Sequence, residues 1–143
     1  MKVLIAVDET PESREAAEVA FGHFGPDHDY TVASVGRYQP LVVPGLGVGA
    51  VPTASALTGR LDDEAQRAAQ ASADEVGRDL PVDVETATGV GHPGQVICGI
   101  AAEREVDMIV IGSSHKGFWE RIFDPSTARY IVEHAPCPVL VVR

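Results

Sequence analysis

The residues best suited to chemistry lie in one stretch, Gly112 to Tyr130, GSSHKGFWERIFDPSTARY. The hydroxyls of Ser113, Ser114, Ser126 and Thr127, the imidazole of His115 and the ammonium of Lys116 can all donate to an anion. The part of this stretch from Gly112 to Ser126 begins and ends like a loop that holds phosphate. Two positions where such a loop wants glycine carry His115 and Pro125 instead. Glycine lets backbone N–H groups approach a phosphate and takes positive φ freely, whereas His115 adds bulk and Pro125 has no N–H to give. The imidazole of His115, with Lys116 beside it, is a substitute donor. Asp124 works against an anion. D-P-S-T reads as a helix start, with Asp124 as N-cap, Pro125 at the first position, and Ser126 and Thr127 in the first turn. A helix N-terminus favours anions, but a capping carboxylate already occupies it and repels phosphate.

Other chemistry has less to stand on. The two cysteines, Cys98 and Cys137, form no C-x-x-C pair and read as small reduced residues in or near the core. The histidines, His23, His28, His92, His115 and His134, show no metal-ligand spacing, so no metal is expected. There is no G-x-x-x-x-G-K-[ST] run, no G-x-S-x-G elbow and no Ser-His-Asp set that spacing identifies. The expectation is a protein that binds rather than turns over, with a nucleotide hydrolase or transferase as the rival.

These residues need a scaffold. The chain has 143 residues, 45% hydrophobic, which predicts one globular domain over 1–143. No apolar run reaches membrane-spanning length, and MKVLIAVDE places acids where a signal peptide needs its cleavage region. A cytoplasmic protein with no membrane contact is therefore expected. The net charge of −10 repels nucleic acid and anionic lipid. Lysine occurs only at Lys2 and Lys116, against 21 acidic residues. Either a halophile with a salt-rich cytoplasm or an ordinary acidic protein with GC-rich codon usage would show this balance.

The elements follow from hydrophobic pattern. KVLIAVD, Lys2 to Asp8, is a continuous apolar run typical of a strand buried on both faces. Thr10 and Pro11 then start a helix to about Phe21 or Phe24, with Ala16, Ala17, Val19 and Ala20 inward. Tyr30 to Val35 reads as a strand. The Gly- and Pro-rich segment 36–59 reads as a long loop, either a functional lid or a segment with no role. Leu61, Ala65, Ala68, Ser72, Val76 and Leu80 recur at helical spacing, with Asp62, Asp63 and Glu64 in the first turn. Val82 to Thr88 alternates like an edge strand. Pro93 opens a helix to about Arg104, with Val96, Ile97, Ile100 and Ala101 inward. Asp107 to Gly112 is a second fully apolar strand, followed by a helix from about Ser126 to His134 and the strand PVLVVR. Alternation of this kind predicts an α/β fold, an open parallel sheet with helices on both faces.

In such sheets ligands bind beyond the carboxyl ends of the strands, where strand order reverses. The two most apolar strands end at Asp8 and Gly112, so both residues should flank that crevice. Asp8 there accepts hydrogen bonds from a ribose or base, or else caps the turn into the first helix.

VLIAVDETPESREA, GVGHPGQVICGIAAEREVDMIVIGSS and IVEHAPCPVLVVR together resemble the universal stress protein family, and the resemblance spans essentially the whole chain. It implies a doubly wound five-stranded parallel sheet of order 3-2-1-4-5, and a homodimer through the last strand, Val139 to Val142. Physics agrees with the dimer, because VLVV at a sheet edge has no lysine or internal proline to blunt pairing. The family's nucleotide-binding branch carries G-x-x-G, nine residues, then G followed by Ser or Thr. Here these positions fall on Gly112, His115, Pro125 and Ser126. The resemblance also implies an apolar adenine slot at Ala6, Val7, Val35 and Ile111, and Gly117 keeps a glycine common in the loop. Phe118 and Trp119 would pack over a base, bury a helix end or line a partner surface.

The leading expectation is thus a small dimeric stress-response protein that binds a ligand or partner, with ATP binding weakened or lost. The alternative keeps ATP or AMP, with His115 and Lys116 replacing the glycine-loop contacts. A protein-interaction module using Phe118, Trp119 and segment 36–59 is a third reading.

Overall fold

The computed structural model describes residues 1–8, 11–36, 54–112 and 125–142. Its elements alternate: β1 (Lys2–Val7), α1 (Pro11–Phe24), β2 (Asp29–Gly36), α2 (Ala54–Asp79), β3 (Val84–Val90), α3 (Pro93–Glu103), β4 (Met108–Gly112), α4 (Pro125–His134) and β5 (Val139–Val142). The strands form one parallel sheet of order β3-β2-β1-β4-β5. This is the expected doubly wound order, with the reversal between β1 and β4.

The central strands carry apolar side chains on both faces, so each face needs a helical layer. Leu4, Ala6, Ala33, Ile109 and Ile111 join Ile97, Ala101 and Ile131 in a core under α3 and α4. Val3, Ile5, Val7, Val32 and Val110 join Ala17, Ala20, Ala73 and Val76 in a second core under α1 and α2. Leu4, Ile5 and Ile109 have no exposed surface. At about 1.5–3 kcal/mol for each such side chain, these positions hold the sheet between its layers.

Several boundaries differ from the sequence expectation. α2 begins at Ala54, so Asp62, Asp63 and Glu64 sit inside the helix, and its first turn carries no acid. Ala54, Ala56, Leu57 and Arg60 all favour helix, and their summed propensity outweighs the interruption at Gly59. The buried stripe of α2 is Ala69, Ser72, Ala73, Val76 and Leu80, while Ala68 is exposed. An alanine-rich helix sets its phase weakly, because one small side chain buries about as well as its neighbour. Of the segment read as a loop, Gly36 belongs to β2 and 54–59 to α2, and 37–53 lies outside the described residues. β1 stops at Val7, one residue short of Asp8, and β3 is shifted two residues toward the C-terminus. In α1, Ala16, Ala17 and Ala20 are buried as expected, but Val19 is only half-buried and Ser13 takes a buried place.

Close approaches fix the upper, carboxyl-terminal end of the sheet. A Cβ on Gly36 would fall 2.6 Å from the Ala65 carbonyl carbon and closer still to its oxygen, so only glycine lets α2 lie against the end of β2. The Gly91 amide donates to the Gly36 carbonyl at 3.2 Å, and Gly91 has φ +139, a conformation that favours glycine. Below this, α2 meets β3 through a polar seam. Gln70 donates to Thr86 Oγ1 at 3.1 Å, Thr88 donates to Gln70 Oε1 at 3.4 Å, and Gln66 also reaches Thr88.

Candidate nucleotide site

The site is built from strand ends. Ala6 pairs with Ile111 across β1 and β4, Val7 pairs with Ser34 across β1 and β2, and Gly112 pairs with Val142 across β4 and β5. Asp8 thus follows β1 and Gly112 ends the adjacent β4, at the point where the chain winds outward in opposite directions, the place where such sheets accept ligands. Both are half-buried. Val35, one residue from the end of β2, pairs with Gly89 of β3 and packs against the core under α3.

The four apolar positions do not share one face. Ala6, Val35 and Ile111 belong to the layer under α3 and α4, whereas Val7 belongs to the layer under α1 and α2. Alternation along β1 makes this unavoidable, since Ala6 and Val7 are consecutive. Ala6 and Ile111 are buried in the α3-side layer, with 1% of each exposed, Val35 is half-buried beside them, and Val7 lies on the other face.

Asp8 is held by its backbone. The Ser13 hydroxyl donates to the Asp8 carbonyl at 2.9 Å and accepts from the Asp8 amide at 3.2 Å. Sequence reading placed the turn's cap on Thr10 or Asp8 and passed over Ser13. The usable signal was a hydroxyl at the third position of a helix, five residues after a strand-end acid.

On the far side of the reversal, Pro125 is the first residue of α4, and Ser126 and Thr127 complete its first turn. Proline has no N–H, so that helix end offers one donor fewer to an anion. The Thr127 side chain is buried, with 2% exposed. α4 is set against α3 where Gly94 faces Tyr130, a Cβ there falling 3.0 Å from the tyrosine. The Tyr130 ring stacks on His134 at 4.1 Å between centroids and meets His92 at 5.7 Å. His115, Lys116 and Gly117 lie outside the described residues, as do Thr10, Ser113, Ser114, Phe118, Trp119 and Asp124.

A model described as the universal stress protein family matches residues 1–143. The chain belongs to the universal stress protein family. Universal stress protein MJ0531 of Methanocaldococcus jannaschii is 30% identical to it over 142 residues, covering 99% of this chain and 81% of that protein. Universal stress protein UspA from Lactobacillus plantarum superposes with a TM-score of 0.66 at 27% identity, covering 100% of this chain and 97% of that one. A universal stress protein family protein from Arabidopsis thaliana, solved with AMP bound, shares the fold. Its TM-score is 0.63 at 18% identity, covering 99% of this chain and 90% of that one.

Within this universal stress protein, the site residues brought together are Ala6, Asp8, Ile111 and Gly112 at the reversal, with Val35 one strand away. Two clefts elsewhere have different walls. One lies at the opposite end of the sheet, between Lys2, Asp29, Asp83, Glu85, Glu103 and Arg104. The other runs along the outer edge, between Asp74, Arg78, Leu80, Val84 and Thr86. Among the described residues, no three His, Cys, Asp or Glu side chains are grouped to hold a metal, and no helix is long and apolar enough to cross a membrane.

Proposed function

We infer that this universal stress protein binds an adenine nucleotide at the β1–β4 reversal and grips the nucleoside and first phosphate, with little hold on a triphosphate. The observation that carries this reading is Pro125 at the first position of α4, the helix that follows β4. The family's nucleotide-binding pattern has glycine there, and proline offers a phosphate no backbone N–H. Ala6, Val35 and Ile111 supply an apolar edge for adenine, and the Asp8 carboxyl suits ribose hydroxyls. His115 and Lys116 are the donors assigned to the single phosphate. AMP bound to the Arabidopsis relative of this fold supports the choice of nucleotide.

The protein acts by binding rather than by turnover, since its sequence carries no Walker lysine run to hold a transferring phosphate. It works as a homodimer whose copies pair through β5. That strand lies at the sheet edge, and Val141 keeps 43% of its surface exposed.

Mass spectrometry of the small molecules that co-purify with the native protein tests the ligand. An adenine nucleotide with one phosphate is expected. Recovery of no nucleotide, together with no heat on titration of the protein with AMP, would overturn the reading.

A further inference from the structure

The connection from β1 to α1 is short, and one buried hydroxyl closes it. Ser13 is 5% exposed, although a serine in the first turn of a helix ordinarily meets water. The sheet's pairing of β1 ends at Val7 on the β2 side and at Ala6 on the β4 side. One residue beyond, the Ser13 Oγ donates to the Asp8 carbonyl at 2.9 Å and accepts from the Asp8 amide at 3.2 Å. The amide belongs to the peptide plane before the Asp8 Cα and the carbonyl to the plane after it. Holding both planes fixes φ and ψ at Asp8, and with them the direction in which its side chain leaves the backbone.

We propose that Ser13 is a positioning residue of the nucleotide site: by pinning the two peptide groups that flank the Asp8 Cα, it aims the Asp8 carboxyl at the ligand's ribose. The demand is for one group that both donates and accepts at a buried position. Alanine supplies neither bond, cysteine keeps the volume with a weak donor and acceptor, and threonine keeps the hydroxyl. The consequence for binding rests on the AMP reading given above, whereas the clamp itself does not.

The test uses the full-length protein and AMP as the probe. Ser13→Ala is expected to weaken AMP binding about fivefold, the scale of one lost hydrogen bond, and Ser13→Thr to restore most of it. In an Asp8→Ala background the same Ser13→Ala change is expected to cost nothing further, because Ser13 acts through that carboxyl. Equal losses in both backgrounds would mean a general structural role and would overturn the proposal, as would undiminished AMP binding by Ser13→Ala. Ser13→Cys serves the same comparison if the alanine variant does not fold. Hydrogen exchange at the Asp8 amide is read in parallel and needs no ligand. If the wild-type protein takes up no AMP, the nucleotide reading fails and the clamp is judged on exchange alone. Faster exchange in Ser13→Ala supports it, and unchanged exchange overturns it.

Discussion

Cys98 and Cys137 lie in the same apolar core under α3 and α4. Burial pushes the Cys98 thiol above its ordinary range, and the neighbouring Cys137 adds to the effect. Cys137 is likewise raised by burial and then by the Asp107 charge, partly opposed by the Ile109 backbone. Unfolded thiols ionise near pH 8.5 as a rule, so the stabilisation carried by these raised values is complete below about pH 8.5. It is lost as pH rises through the folded values. Urea midpoints should therefore fall as pH rises from about pH 8.5 to pH 9.5, below the range in which tyrosines titrate, and a protein with Cys98→Ala and Cys137→Ala should show a flatter profile there. An identical decline in the double variant would contradict the assignment. The residues themselves were read from the sequence as small and reduced, in or near the core, and Cys98 is buried while Cys137 is half-buried. Their shared cluster was not legible there, because 39 positions separate them in the chain and no local pattern reports which distant residues meet on one face of a sheet.

The helices and strands differ in how clearly the chain announces them. β1 and β4 are continuous apolar runs, and α1 and α3 each open on a proline that local pattern locates well. α2 was harder to read. Its start is hidden by a glycine that the helix tolerates, and its phase is blurred by alanines. The contact that orients it is legible only in three dimensions, where Gly36 gives way to the Ala65 carbonyl. Gly36→Ala should accordingly cost about 1–3 kcal/mol, as overpacking against rigid backbone does. Gly22→Ala is the control: it lies in α1 with nothing within 4 Å of its added Cβ, and should stabilise by up to about 1 kcal/mol through helix propensity. Denaturation in urea checks both. Equal midpoints for the two variants would mean that the approach of α2 to β2 is not the constraint described.

At the scale of the whole molecule, strand order decides where ligands go and which edges remain open. Order 3-2-1-4-5 sets the reversal between β1 and β4 and leaves β3 and β5 at the rims. The β3 rim is backed by the polar seam of Gln70, Thr86 and Thr88, while β5 presents Val141. Light scattering should give twice the chain mass, and Val141→Lys, a charge on the pairing edge, should return it to the monomer without changing the far-UV spectrum. A native monomer would contradict pairing through β5. The reversal between β1 and β4, where the candidate site is placed, was legible because the two most apolar runs of the sequence lead into Asp8 and Gly112. The division of its apolar wall between the two faces of the sheet, and the Ser13 clamp, required the fold, since register and layer are not written in any single stretch. The central claim is that the phosphate end of the family's site has been cut back by Pro125. It is tested most directly by titrating the protein calorimetrically with AMP and, separately, with Mg-ATP. The account predicts that AMP binds and that Mg-ATP binds no more tightly than AMP; micromolar uptake of Mg-ATP, well tighter than AMP, would contradict it.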